Sequence, residues 1–245
     1  MVRAVLVDVG DTLVHLDRPR DEVFETNLEA LHSYLTSQRI EFDAKKFNDI
    51  FVHIFNDATH QADLFNIEIP MEEIISKSLR KSGMLASEVD LPRKAMIEFY
   101  TPEVEAWQLY SDTVETLTEL SKEYVMGVIS NTKSDWFVRA ILRRRGLDRF
   151  FNTVVTSAAL KIRKPRQEIF TRALADLGVG PSEAVFMGDS IQADVRGAKN
   201  MGMYSIHVLR KPIDSKSLSR PDATATSLSE VPGIIAQWNN GSRKN

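Results

Sequence analysis

The sequence predicts an α/β fold: a mostly parallel sheet covered by helices on both faces, with an all-helical bundle inserted after the first strand. Three observations carry this. Short runs of branched apolar residues recur along the chain, each closed by Gly, Asp, Ser or Asn. From about residue 110 onward, segments with helical spacing of apolar residues separate these runs. From about residue 18 to 100 the helical patterns follow one another with no strand between them. Strands that alternate with helices are joined by right-handed crossovers, which make the sheet parallel and cover both its faces.

Val5, Leu6 and Val7 form the first strand, which stops at Asp8. Phe24, Leu28, Leu31 and Leu35 then keep one helical face. Phe47, Ile50, Phe51, Ile54 and Phe55 keep a second, Ile74, Ile75 and Leu79 a third, and Ala95, Met96 and Phe99 a fourth. Pro19, Pro70, Pro92 and Pro102 punctuate these segments. Residues 17–102 therefore read as a helical cap domain, and residues 1–16 with 103–245 as the sheet-bearing core. The joints fall near Val14 to Arg18 and Pro102 to Tyr110.

After the cap, Val114, Leu117 and Leu120 mark a helix before the strand Val125 to Ile129, which ends at Ser130-Asn131. Trp136, Ala140 and Ile141 lie on the next helix, and Thr153 to Thr156 form the third strand. Ile169, Ala173 and Leu177 follow, then the strand Ala184 to Met187, which ends at Gly188-Asp189. Val195, Ala198 and Met201 precede a fifth strand at Ser205 to Leu209, with a weaker sixth at Ala223 to Thr226. The tail from Asn239 to Asn245 is polar and expected to fray.

Composition narrows the function classes. The chain has 245 residues, enough for a sizeable core. Its 31 Lys and Arg stand against 34 Asp and Glu, a net charge of −3. That balance argues against nucleic-acid and anionic-membrane partners. There is no cysteine, which excludes disulfides, thiolate metal sites and cysteine nucleophiles and fits a cytoplasmic location. No apolar run approaches the ~18 residues of a membrane span.

Ligands of such sheets bind at the carboxyl ends of the strands, and the polar residues gather there. Asp8 at the tip of a buried strand is a nucleophile, a cation ligand, or a cap for loop amides. Ser130-Asn131 offers a hydroxyl, an amide and backbone N–H groups to a tetrahedral anion, or serves only to cap a helix. Lys164-Pro165, near Lys161 and Arg163, places a cation that can hold phosphate, or is part of a solvated basic run. Asp189 and Asp194 bracket a strand-end loop and, with Asp8, provide the hard oxygen ligands that suit Mg²⁺. Their alternatives are a cap and a surface charge.

The order of these groups resembles the haloacid dehalogenase superfamily of hydrolases: strand–Asp, helical insertion, strand–Ser, Lys–Pro, then strand–Gly-Asp-x-x-x-x-Asp. The resemblance runs from Val5 to about Val208 and matches the subgroup with a helical cap of the C1 type between the first two motifs. It implies a Rossmann-like core and a Mg²⁺-dependent phosphatase acting on a small phosphorylated metabolite. Asp8 would be the nucleophile, forming an aspartyl-phosphate or aspartyl-ester. Ser130, Asn131 and Lys164 would hold the transferring group, with Lys164 also restraining Asp8. Asp189 would bind Mg²⁺ together with Asp8 and the main-chain carbonyl of Gly10. Asp194 would support the metal's water shell or Lys164, and Thr12 would hydrogen-bond within the first loop.

The first motif, Asp8-Val9-Gly10-Asp11-Thr12, departs from the family pattern. Phosphatases of the superfamily carry a second Asp where Gly10 stands, and it protonates the leaving alcohol. Asp11 follows one residue later, as an uncertain acid/base or as a loop-holding residue. This leaves two alternatives: a metal-independent 2-haloacid dehalogenase, or a phosphate-binding protein with weakened catalysis. The retained Asp189 and Asp194 weigh against the dehalogenase, because acids beside Asp8 repel one another without a cation. Phosphonate-cleaving relatives recruit a cap lysine, for which Lys45, Lys46, Lys77 and Lys81 are the candidates. Trp107, Tyr110, Trp136 and Phe137 border the site or pack between cap, hinge and core, and His15 reaches substrate or is a surface hinge residue. His32, His53 and His60 lack a metal-ligand pattern. Arg143-Arg144-Arg145 reads as a solvated helix end.

Overall fold

A computed structural model of the chain describes residues 1–40, 42–84, 90–210 and 219–242. Six strands form one parallel sheet: β1 (Ala4–Val7), β4 (Val125–Ser130), β5 (Thr153–Thr156), β6 (Ala184–Gly188), β7 (Tyr204–Val208) and β8 (Ala223–Ala225). Their order across the sheet is β5-β4-β1-β6-β7-β8. Central β1 is buried along its whole length. Val5 and Val7 face one apolar cluster, while Ala4 and Leu6 face the other, which contains Phe170 and Phe186. This is the two-sided burial that a parallel sheet demands, and it is why the strand reads as an unbroken apolar run. In register, Val7 lies beside Val128 of β4 and Met187 of β6. The residues that follow these three strands therefore emerge along one edge of the sheet.

The insertion consists of α1 (Arg20–Ser37), α2 (Ala44–Phe65), α3 (Met71–Lys81) and α4 (Leu91–Ala106). Phe47, Phe51 and Phe99 are fully buried at its centre, and Phe24 packs edge-on against Phe99. Asp43 caps α2 by accepting from the Lys46 amide, and Asn66 ends it in the left-handed conformation. In α3, Glu72 and Glu73 occupy the first turn and Arg80 and Lys81 the last, as the helix dipole favours.

The sheet-side helices are α5 (Thr113–Leu120), α6 (Asp135–Arg144), the single turn α7 (Ser157–Leu160), α8 (Gln167–Leu177), α9 (Arg196–Met201) and α10 (Val231–Ser242).

Several local expectations need correction. Pro102 does not end a helix, because α4 runs through it to Ala106. At the two joints, β2 (Val14–Leu16) and β3 (Trp107–Leu109) pair as an antiparallel ribbon that the sequence pattern did not announce. β7 starts one residue earlier and ends one residue earlier than the apolar run suggested. Asn239 does not fray: α10 continues past it, and its side chain accepts from the Val2 amide at 2.7 Å. Residues 243–245 of the expected tail lie outside the described residues. Arg144 and Arg145 are not merely solvated. Arg144 pairs with Glu105 at 2.9 Å, and Arg145 donates to the carbonyls of Trp107 and Glu105 at 2.6 and 2.8 Å, bracing the cap's return.

Candidate active site

The strand edge opens into a cavity of about 330 Å³. Asp8, Gly10, Asp11, Ser130, Asn131, Lys164, Asp189 and Asp194 all line it, so the fold brings together nearly the whole set singled out from the sequence. Thr12 sits behind them, fully buried. β1 delivers Asp8, whose amide continues the sheet ladder by donating to the Met187 carbonyl at 3.0 Å. Ser130 is the last residue of β4, and Asn131 follows it. Asp189 and Asp194 flank the turn after β6, where Ser190 caps a five-residue π-helical segment, Ile191–Val195.

Lys164 is the hub. Its ammonium lies 2.6 Å from Asp8 Oδ1 and 2.8 Å from Asp194 Oδ1, and donates to the Ile129 carbonyl at 2.7 Å. Asn131 aims it: the Asn131 Oδ1 accepts from the Lys164 amide at 2.8 Å, and its Nδ2 donates to the Lys164 carbonyl at 3.1 Å. The Asn131 side chain thus grips the Lys164 backbone as it lines the cavity. Thr12 accepts from the Asp189 amide at 3.1 Å and lies 3.5 Å from Asp8 Oδ2, joining the first loop to the fourth. Gly188 gives Asp194 its place, since a Cβ there would lie 2.2 Å from Asp194 Oδ2.

Burial pushes the Asp8 carboxyl up to about 7; Lys164 opposes this, while Asp194 and Asp189 add to it. Burial also works against the charge on Lys164, but Asp194 and Asp8 outweigh it and hold the ammonium above its ordinary value. One carboxylate oxygen from each of Asp8, Asp189 and Asp194 lies within 4.8 Å of the others. Three crowded carboxylates with a single lysine between two of them are under-compensated. The donor set fits a small divalent cation, which takes oxygen ligands at about 2.0–2.1 Å.

A further wall comes from the cap and its return, where Arg20 and Glu103, not singled out from the sequence, line the cavity with Trp107. Phe137 of α6 and Arg163 line it from the core. Asp11 adopts a φ of 56° and pairs with Arg20 at 2.9 Å. Glu103 accepts from Asn27 at 2.7 Å and from the Trp107 indole N–H at 3.3 Å, and burial raises its carboxyl. The indole covers Gly10: a Cβ on residue 10 would meet Trp107 Cη2 at 3.2 Å. Two supporting residues also escaped notice. His207 Nε2 lies 2.9 Å from the Asp189 carbonyl, and Arg210 reaches the Thr12 carbonyl and Asp112.

The cap is fastened to the core at a second place. Buried Glu68 meets Lys133 at 3.4 Å and Arg163 at 3.1 Å, and accepts from Ser157 at 2.8 Å. Ile67 bridges Ile162 alongside it. The remaining candidates lie elsewhere. Tyr110 packs on His15 and under Arg210, Trp136 lines a separate cavity, and His15 contacts its neighbour's carbonyl. Lys45, Lys46, Lys77 and Lys81 are not among the lining residues. His32 sits among the Phe42 and Phe47 rings, away from the acidic cluster.

A family model for haloacid dehalogenase-like hydrolases matches residues 37–208. The chain belongs to this family. The match takes in Ser130, Lys164, Asp189 and Asp194 and begins after Asp8, which joins them through the geometry above. The chain is 26% identical over 218 residues to a glyceraldehyde 3-phosphate phosphatase of Methanopyrus kandleri, covering 86% of this chain and 85% of that one. It is 28% identical over 241 residues to a pyrophosphatase of Bacillus cereus, covering 97% and 98%. Among solved structures, a 2-haloacid dehalogenase from Pseudomonas syringae superposes with a TM-score of 0.72 at 25% identity, covering 97% and 100%. A haloacid dehalogenase-like hydrolase of Bacillus subtilis, described as bound to magnesium, shares the fold at a TM-score of 0.60 and 20% identity over 96% and 98%. Among the described residues, no helix is long and apolar enough to cross a membrane.

Proposed function

We propose that this hydrolase is a Mg²⁺-dependent phosphatase of a small phosphorylated metabolite, with residues 17–102 covering the site as its cap. The observation that carries the reading is buried Lys164 held between Asp8 and Asp194 where they line the cavity, with Asp189 in the same acidic cluster. Asp8 attacks phosphorus in line, forming an acyl-phosphate as the bond to the leaving oxygen breaks. Water then attacks that phosphorus, returning Asp8 and releasing inorganic phosphate. Ser130 and Lys164 bind the equatorial oxygens, and Asn131 keeps Lys164 in place. Asp8, Asp189 and the Gly10 carbonyl would hold Mg²⁺ with Asp194 beside them, and the ion would supply positive charge to the phosphoryl oxygens.

Residue 10 has no side chain with which to protonate the leaving group. General acid help is worth about 10²–10⁴-fold. Turnover of p-nitrophenyl phosphate, whose phenolate leaves unaided, is therefore expected to exceed that of alkyl phosphates.

The test is hydrolysis of p-nitrophenyl phosphate by wild type and Asp8→Ala, with Mg²⁺ and with EDTA. Mg²⁺-dependent turnover that vanishes in Asp8→Ala supports the reading. Gly10 and the Pseudomonas syringae structure favour a second one, dehalogenation of a 2-haloacid without metal. Halide release from 2-chloropropionate in EDTA, with no phosphate release from any ester, would establish that reading. Phosphate binding with no turnover of either substrate would make the protein a binding module.

A further inference from the structure

The charge balance of the cavity bears on what the phosphoryl group is attached to, with the bond that breaks taken from the phosphatase reading. If the strand-end residues hold the phosphoryl group, the cap-facing wall receives the leaving group. Among the described residues, three cations line the cavity, and each has a carboxylate partner. Lys164 is shared by Asp8 and Asp194. Arg163 meets Glu68 at 3.1 Å and Asp63 at 3.6 Å. Arg20 lies 2.9 Å from Asp11.

The last pair decides the character of the wall. The Arg20 side chain is 65% exposed and could reach a substrate, whereas the Asp11 side chain is only 16% exposed. Glu103 adds a further carboxyl that lines the cavity from α4. Among the described residues lining this wall, a second anionic group would meet cations already balanced and would approach the Asp11 carboxylate. Desolvating an anion without a partner is costly, and juxtaposing like charges discriminates strongly between ligands. A hydroxyl group faces no such penalty and can donate to Asp11 or accept from Arg20.

We propose that Asp11 is a specificity residue: by pairing with Arg20 it selects phosphate esters of uncharged polyols and rejects those carrying a carboxylate or a second phosphate. Its place one residue beyond Gly10 serves this role, because its left-handed backbone sets the carboxylate against the cap.

Glycerol 3-phosphate and 3-phosphoglycerate make the probe pair, since they match in size and differ by a hydroxymethyl against a carboxylate. Affinities are measured by calorimetry on Asp8→Asn protein with Mg²⁺, and kcat/KM on protein with Asp8 intact. Glycerol 3-phosphate is expected to bind about tenfold more tightly and to show a similar advantage in kcat/KM. Asp11→Asn, which tolerates the left-handed backbone, is expected to abolish or invert the preference by unmasking Arg20. Adding Arg20→Gln to it is expected to restore part of the preference. Equal affinities before the Asp11 change, or a preference that Asp11→Asn leaves untouched, overturns the proposal. Equal loss of kcat on both esters in Asp11→Asn, at constant ratio, also overturns it and makes Asp11 the acid/base. The expected affinity ratio with no hydrolysis of either ester contradicts the phosphatase reading and supports the subsite.

Discussion

The two walls of the cavity are built on different physics. The sheet wall is a buried ionic cluster in which Lys164 is locked by Asp8, Asp194 and the Ile129 carbonyl. The cap wall joins the partly exposed Asp11–Arg20 pair to the buried indole of Trp107 and the hydrogen-bonded carboxyl of Glu103. Buried charges lose much when a partner is removed, whereas exposed pairs contribute little to stability. The sheet wall is therefore suited to holding a fixed phosphoryl group. The Asp11–Arg20 rim of the cap wall can vary without unfolding the protein.

The first way to break this contrast is Lys164→Met. It leaves Asp8 and Asp194 buried and uncompensated, so a loss of about 3–5 kcal/mol in urea unfolding is expected, together with loss of turnover. A change as small as that of a surface pair would remove the distinction between the walls.

Gly188→Ala comes next. Its Cβ would collide with Asp194, and a cost of about 1–3 kcal/mol with weakened stabilisation by Mg²⁺ is expected in thermal melts. At Gly10 the neighbour is the edge of an indole rather than a locked carboxylate. Gly10→Ala is thus expected to cost about 1 kcal/mol, and less in a Trp107→Phe background. An equal cost in both backgrounds would mean that the indole does not set the space above residue 10.

Glu103 sharpens the contrast through pH. Burial raises its carboxyl above the ordinary 4.5, so the folded protein retains a proton that the unfolded chain releases. Its contribution to stability is present at low pH and is lost as pH rises from about 4.5 through its folded value. Glu103→Gln removes this loss. Unfolding free energies are expected to shift in favour of the variant as pH rises from 4.5 toward neutrality, and a constant difference would contradict the assignment. The smallest effect belongs to the rim: Arg20→Gln is expected to change stability by about 0–1 kcal/mol.

The same division explains what could be read from the sequence. Asp8, Ser130 and Asp189 follow apolar runs whose burial fixes their place at the sheet edge, so local patterning suffices to bring them together. Lys164 lies in a loop and Asp194 in the short π-helical segment, and the Lys-Pro pair and the Gly-Asp-x-x-x-x-Asp spacing mark them. Glu103 carries no such mark and Trp107 only that of a large aromatic at the joint, because they reach the cavity through the packing of α4 and the β2–β3 ribbon. Glu68 resembles any surface acid until Lys133, Arg163 and Ser157 converge on it. The helix Val231–Ser242 was hidden by Pro232 and Gly233 near its start, although Val231 and Ile235 are fully buried. Only the slip from Gly10 to Asp11 could have prompted a search for a compensating cap residue, and the cation that answers Asp11 is Arg20.

The central claim is that Asp8 forms a covalent bond to phosphorus. It is tested most directly by acid-quenching the protein during turnover of p-nitrophenyl phosphate with Mg²⁺ and weighing its peptides. The account predicts one added phosphoryl group on the peptide containing Asp8, absent from Asp8→Asn. Turnover with no phosphorylated peptide, or with the group on another residue, would contradict it.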